Sequence, residues 1–217
     1  MKGRKGRRGL LFVLEGIDGS GKTAIAESVV ELLAKKGYDV VKLHEPTSES
    51  KWGREIRERS PSGELSANEE LELFLRDREW DIQNRIRPAL EAGKIVVMDR
   101  YFFASGAYQS TSTGTHWKEI LRRNREEIRT PEPNLVFILD VPAETGLARV
   151  LGRNYEMNKQ FEKLGRLVKV RQAYLEMARE DTGTFIVVDA TQSLEQVLDE
   201  VCRRILEFLG RKRTEGG

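Results

Sequence analysis

The 217-residue chain contains a single cysteine, Cys202, so no intrachain disulfide is open to it. Only two histidines, His44 and His116, accompany it, and they lie far apart in sequence. No zinc-type spacing and no Ser/His/Asp triad can be assembled from such a set. Cys202 falls in an amphipathic helical pattern, where a lone thiol reads as core packing. Long apolar runs are also missing. No stretch approaches the ~20 residues needed to cross a bilayer. The longest early run, Leu10 to Leu14, is cut by Glu15, short of the ~7–15 apolar residues of a secretory signal. A cytoplasmic protein with no membrane partner is the expectation. An excess of one charge is absent too: 37 Lys and Arg face 35 Asp and Glu, for a net +2. Lys2, Arg4, Lys5, Arg7 and Arg8 place +5 in the first nine residues, which leaves the rest of the chain at −3. The body is therefore not a basic nucleic-acid binder. Residues 1–9 carry charge that suits phosphates, but a basic terminus of this kind is ordinarily a solvated arm.

Hydrophobic residues make up 39% of the chain and recur in organised runs, which excludes a disordered polypeptide and supports one core. Five short apolar runs read as strands: Leu10–Leu14, Val40–Leu43, Ile95–Met98, Leu135–Leu139 and Phe185–Val188. Most lack polar alternation, the pattern of strands buried on both faces of a parallel sheet. Helical patterns separate them. One starts near Gly21, runs to Lys36 and is stopped by Gly37. Another begins after Ser66, which forms a capping box with Glu69. Pro88 kinks that helix or opens a following one. Ala143–Arg153 and Leu164–Glu180 flank a polar segment, and Leu194–Leu209 follows a second capping box, Ser193 with Gln196. The expected fold is α/β: a five-stranded parallel sheet with helices on both faces and a short lid, one domain over residues 10–209 followed by a polar tail at 210–217. Ligands should bind beyond the carboxyl ends of the strands.

Gly16-Ile17-Asp18-Gly19-Ser20-Gly21-Lys22-Thr23 matches G-x-x-x-x-G-K-[ST], after a strand and before a helix. The glycines let backbone N–H groups turn inward around phosphate oxygens, and the helix N-terminus adds partial positive charge. Lys22 supplies a cation for the β- and γ-phosphates, and Thr23 offers a hydroxyl to Mg²⁺. These residues define a nucleoside triphosphate site. Asp99 closes the third strand, where a carboxylate can hold Mg²⁺ directly or through water. Arg100 beside it can bridge donor and acceptor phosphates. Phe74 and Arg78 share one helix face. A ring beside a guanidinium suits a flat base with carbonyl oxygens, although on periodicity alone Phe74 is more often core.

Taken together, the residues resemble the thymidylate kinases, in the style of the archaeal members. Glu15 before the phosphate loop, Glu45-Pro46-Thr47, Gly53 to Arg57, Asp77-Arg78, Pro88-Ala89-Leu90, Asp99-Arg100-Tyr101 and Ala107-Tyr108-Gln109 carry the likeness. It continues through Leu139-Asp140-Val141-Pro142, Phe161-Glu162 and Val170-Arg171 with Tyr174, and spans nearly all of residues 10–209. The resemblance implies a P-loop nucleoside monophosphate kinase that moves the γ-phosphate of ATP to dTMP, giving dTDP, with Mg²⁺ and as a homodimer. It implies that Asp18 meets the acceptor sugar, Phe74 stacks on thymine and Arg78 bonds a thymine carbonyl. Glu45, Pro46, Ser105, Tyr108 and Gln109 line the acceptor, and Arg57 and Arg100 hold its phosphate. Arg149 lies near adenine, Glu162 near the metal, and the lid occupies about residues 150–163. His44, Thr47-Ser48 and Ser110 depart from the usual pattern of the family. Some members carry an arginine at the loop position that is Gly19 here. The cation for the transition state is then expected from the lid, with Arg153 as its source. Another pyrimidine nucleotide or nucleoside kinase, with Glu15 or Glu45 activating a hydroxyl, and a non-enzymatic nucleotide switch are the alternatives.

Overall fold

The computed structural model describes residues 9–151 and 157–214, with side chains for all of these except 157–162 and 213. Five strands form one parallel sheet: β1 (Leu10–Glu15), β2 (Val40–His44), β3 (Ile95–Asp99), β4 (Leu135–Asp140) and β5 (Phe185–Asp189). Their spatial order is β2-β3-β1-β4-β5. Every residue of β3, and all but one in each of β1 and β4, is buried. Successive side chains of a strand point to opposite faces, so burial without alternation means that helices cover both faces. The helices are α1 (Lys22–Lys35), α2 (Lys51–Arg59), α3 (Ala67–Asp81), α4 (Arg87–Glu91), α5 (Phe102–Thr113), α6 (Trp117–Glu126), α7 (Ala143–Leu151), α8 (Met157–Glu180) and α9 (Leu194–Thr214). A π-helical stretch, Ile82–Ile86, joins α3 to α4, and Pro88 sits in the first turn of α4, where it opens that helix. Among the described residues no helix is long and apolar enough to cross a membrane.

Each strand runs one residue beyond its apolar run, onto Glu15, His44, Asp99, Asp140 or Asp189. A hydrophobic criterion stops short at these positions because the carboxyl edge of the sheet is where polar groups collect. Both expected capping boxes are present, Ser66 with Glu69 and Ser193 with Gln196. The last helix continues past Leu209 to Thr214, and α8 begins at Met157 rather than Leu164. Helix α5 has few sequence signals because it is rich in Ser and Thr, which are weak helix formers. Its Gly106 permits close packing: a Cβ there would lie 2.9 Å from both Leu121 of α6 and Met177 of α8. Cys202 is buried in the core, and burial pushes its thiol up to about 11, as a packing role requires.

Candidate active site

β1 lies between β3 and β4, so the loop leaving β1 faces the turn leaving β3. Leu14 is in register with Asp99, and His44 of β2 is in register with Asp99 from the other side. The phosphate loop depends on its glycines. Gly19 has φ +81°, and a Cβ there would stand 2.1 Å from the carbonyl oxygen of Gly146 in α7. A side chain cannot be accommodated at that position, so no cation can be delivered from it. Gly146 is fitted in return, since its own Cβ would meet the Asp18 carbonyl at 2.6 Å.

Lys22, at the junction of loop and helix, is only 6% exposed. Its ammonium donates to Gly16 O (3.0 Å), Ile17 O (2.8 Å) and Ser20 Oγ (3.4 Å). Burial, aided by nearby Arg100, pulls its pKa down to about 7, against the attraction of Asp18, Asp99 and Glu15. Gly16, Ile17 and Ser20 are themselves buried and line neither of the cavities described below. Thr23 Oγ1 donates to Asp99 Oδ2 at 2.6 Å. Two hard oxygen donors at the mouth of a phosphate loop fit Mg²⁺, which takes few protein ligands and the rest from phosphate and water. Arg153 lies outside the described residues, as do the side chains of Glu162 and of most of the segment read as a lid. Arg149 of α7 donates to Gly19 O at 3.2 Å and to Ala190 O at 3.2 Å, tying the loop to the turn after β5.

Arg100 has φ +68°, a conformation that non-glycine residues seldom adopt and that is held by its surroundings. Its guanidinium pairs with the Asp18 carboxylate and lies 5.1 Å from the Tyr108 ring centre. The Asp18 N–H donates to the Tyr108 hydroxyl at 3.0 Å. Arg57 donates to Pro46 O and stands 3.2 Å from His44 Nδ1.

Two cavities open around these groups. One, of about 690 Å³, is lined by Gly19, Gly21, Lys22, Thr23 and Asp99. The other, of about 340 Å³, runs between α3 and α5. Asp18, Glu45, Pro46, Arg57 and Arg100 line both. Phe74 and Arg78 enter the smaller cavity from α3, and Ser105, Tyr108 and Gln109 from α5. All the acceptor-side residues named from the resemblance thus face one space. Arg78 is 1% exposed. It donates to Glu45 from Nε (2.8 Å) and Nη2, to Asn124 Oδ1 (2.7 Å) and to Ser105 Oγ (3.0 Å). These bonds leave one guanidinium N–H over. Glu45 pairs with the guanidinium, and both line the smaller cavity. Asp77 fixes the loop that carries Glu45, accepting from Thr47 N (2.8 Å), Thr47 Oγ1 (2.7 Å) and Ser50 Oγ.

Glu15 does not line either cavity. Its buried carboxylate accepts from Tyr101 N (2.8 Å), Ala104 N (3.1 Å) and Tyr174 Oη (2.8 Å), and burial pushes it up to about 7. With Glu15 enclosed and Glu45 bound to Arg78, neither carboxylate is placed to activate a neutral hydroxyl. Sequence reasoning missed Ser60, Pro61, Glu70 and Arg166 among the lining residues. Glu70 was within reach, four residues before Phe74 on the same helix face. Arg166 stands eight residues, about two helical turns, before Tyr174, and its guanidinium carbon is 5.9 Å from the Tyr108 ring centre. Ser60 and Pro61 carry no periodic signal.

The sequence profile described as Thymidylate kinase matches residues 14–201. A probable thymidylate kinase of Archaeoglobus fulgidus is 47% identical over 205 residues, covering 94% of this chain and 99% of the relative. A thymidylate kinase of Xanthomonas euvesicatoria pv. vesicatoria is 40% identical over 190 residues, 88% of this chain and 80% of the relative. One from Xanthomonas campestris pv. campestris is 38% identical over 208 residues, 96% and 88% of the two chains.

Proposed function

The chain belongs to the thymidylate kinase family and phosphorylates dTMP to dTDP with ATP as donor, and we propose that transfer takes place where the two cavities join. The observation that carries this reading is the set of five residues common to both spaces: Asp18, Glu45, Pro46, Arg57 and Arg100. A donor bound on the phosphate loop directs its γ-phosphate toward that junction. An acceptor with its base between Phe74 and Arg78 directs its phosphate to the same place.

In the reaction, an oxygen of the dTMP phosphate bonds to the γ-phosphorus of ATP as the bond to the β-phosphate oxygen breaks, and ADP leaves with the electron pair. The attacking oxygen is already anionic, so no general base is needed, in keeping with the enclosed Glu15. Positioning and charge do most of the work. Lys22 holds β- and γ-oxygens, and the phosphate loop offers backbone N–H groups. Arg57 and Arg100 hold the acceptor phosphate, while the Asp18 carboxylate keeps the Arg100 guanidinium aimed at the junction. Thr23 and Asp99 would hold Mg²⁺, whose charge, when bound, offsets that of the phosphates. Arg149 serves the nucleotide end and Arg153 supplies the transition-state cation from the lid. A cytoplasmic homodimer completes the proposal.

Incubating the purified chain with ATP, Mg²⁺ and a panel of acceptors, separated by chromatography, tests it. The expected product is dTDP from dTMP, with much less product from dCMP and none from thymidine. Phosphorylation of thymidine in preference to dTMP, or ATP hydrolysis with no acceptor product, would overturn it.

A further inference from the structure

Glu70 takes no part in the reaction as derived, yet it lines the acceptor cavity. It lies in the first turn of α3, four residues before Phe74 and eight before Arg78, so the three side chains form one stripe along the helix. Arg78 is at the buried end, and Phe74 and Glu70 are half-buried. The end of α3 is already capped by Ser66 and Glu69, so Glu70 is not needed there. Two groups hold its carboxylate instead. Ser60 Oγ donates to Oε1, and Gln109 Nε2 donates to Oε2 at 3.3 Å.

The Gln109 partnership has a chemical consequence. Gln109 is 4% exposed and lines the same cavity. Its amide has an acceptor end and a donor end. A carboxylate only accepts, so beside Glu70 the amide must turn its NH2 toward the carboxylate. The amide oxygen is thereby turned away from Glu70, and no hydrogen bond among the described residues reaches it. The cavity then holds a fixed acceptor on Gln109 and a fixed donor on Arg78. Thymine carries an N3–H donor flanked by carbonyl acceptors, whereas cytosine has a bare N3 acceptor and an amino group. A fixed amide oxygen pairs with the first and opposes the lone pair of the second.

Resting on the acceptor site proposed above, we infer that Glu70 is a positioning residue: it locks the Gln109 amide with its oxygen toward the base, and so sets the preference for a base bearing N3–H. Three variants read this. Glu70→Ala releases the amide. Glu70→Lys offers a donor in place of the acceptor and turns the amide over. Glu70→Gln can still accept from Nε2. The measurements are kcat and KM for dTMP and dCMP, with the ATP KM and Tm alongside.

In Glu70→Ala the ratio of kcat/KM for dTMP to that for dCMP falls about tenfold, the scale of one net hydrogen bond, mainly through a higher dTMP KM. In Glu70→Lys it falls further and dCMP becomes a better acceptor than with the unaltered protein. Glu70→Gln keeps the ratio within about threefold. The ATP KM moves little throughout. A ratio held within twofold in both the Ala and Lys variants overturns the inference. So does equal damage to dTMP, dCMP and ATP kinetics with a fall in Tm, which marks a purely structural prop. If the unaltered protein makes no dTDP, the failure belongs to the proposed function; if it discriminates and the variants do so equally well, Glu70 alone is excluded.

Discussion

Arg78 and Glu45 form an ion pair with side chains 1% and 2% exposed, and its two members should respond differently to removal. Glu45→Met leaves a guanidinium buried with only the Asn124 and Ser105 contacts, and arginine cannot shed its proton. Removing one partner of a buried pair costs about 3–5 kcal/mol. For a domain of this size 1 kcal/mol moves Tm by about 2–4 °C, so a fall of roughly 6–20 °C is expected. Arg78→Met leaves a buried carboxyl that can take up a proton. Burial already pushes Glu45 upward, and the guanidinium that opposes this is gone. The folded pKa stands above the unfolded one, so the folded state binds more protons between the two. The stability of Arg78→Met is therefore greatest near pH 5 and declines as pH rises toward the folded value, which burial holds at about 8 even with the guanidinium in place. The double variant removes both charges and should be no less stable than Glu45→Met alone, while dTMP KM stays at least tenfold raised in all three, the scale of one base-directed hydrogen bond. Thermal unfolding from pH 5 to 8, with steady-state kinetics on the same samples, provides both readouts. Additive losses in the double variant, or a Tm of Arg78→Met that does not fall as pH rises, would refute the ion-pair reasoning.

Gly19→Ala sets a Cβ 2.1 Å from Gly146 O at φ +81°, so thermal unfolding and ATP titration should show a loss of about 1–3 kcal/mol and weakened ATP binding, with dTMP binding less affected. Glu15, raised to about 7 from 4.5, contributes stability that is full below the unfolded pKa and declines as pH climbs from about 4.5 to about 7. Glu15→Gln mimics the protonated form and should flatten that part of the Tm–pH curve; parallel curves for the two proteins would contradict it. Arg153→Ala should lower kcat roughly a hundredfold with smaller changes in KM, and comparison with Lys159→Ala and Lys163→Ala by steady-state kinetics tells whether Arg153 or a lysine is the source.

The sheet was legible because β1, β3 and β4 are buried on both faces, and such strands show as unbroken apolar runs. Their last residues were not, since Glu15, Asp99 and Asp140 look like loop in a hydropathy pattern. The phosphate loop was legible from spacing alone, but the burial of Lys22 was not. Burial there follows from the ammonium folding back on Gly16 and Ile17, a tertiary arrangement that local sequence cannot carry. The acceptor cavity was legible where a helical stripe carries it, at Phe74 and Arg78. Ser60 and Pro61 reach it from the end of α2, whose approach depends on how that helix packs, and nothing in their own neighbourhood signals it. The Glu45–Arg78 pair joins a strand-end loop to a helix 33 residues on, and only the fold makes them partners.

The most direct test of two substrates meeting at Asp18, Arg57 and Arg100 is inhibition by one molecule that spans both cavities. Adenosine and thymidine joined 5′ to 5′ through a polyphosphate bridge is such a molecule. Initial rates measured against varied ATP and, separately, varied dTMP should show competition with both, and binding tighter than either nucleotide alone. Competition with ATP only, with dTMP still able to bind beside the inhibitor, would contradict a shared junction.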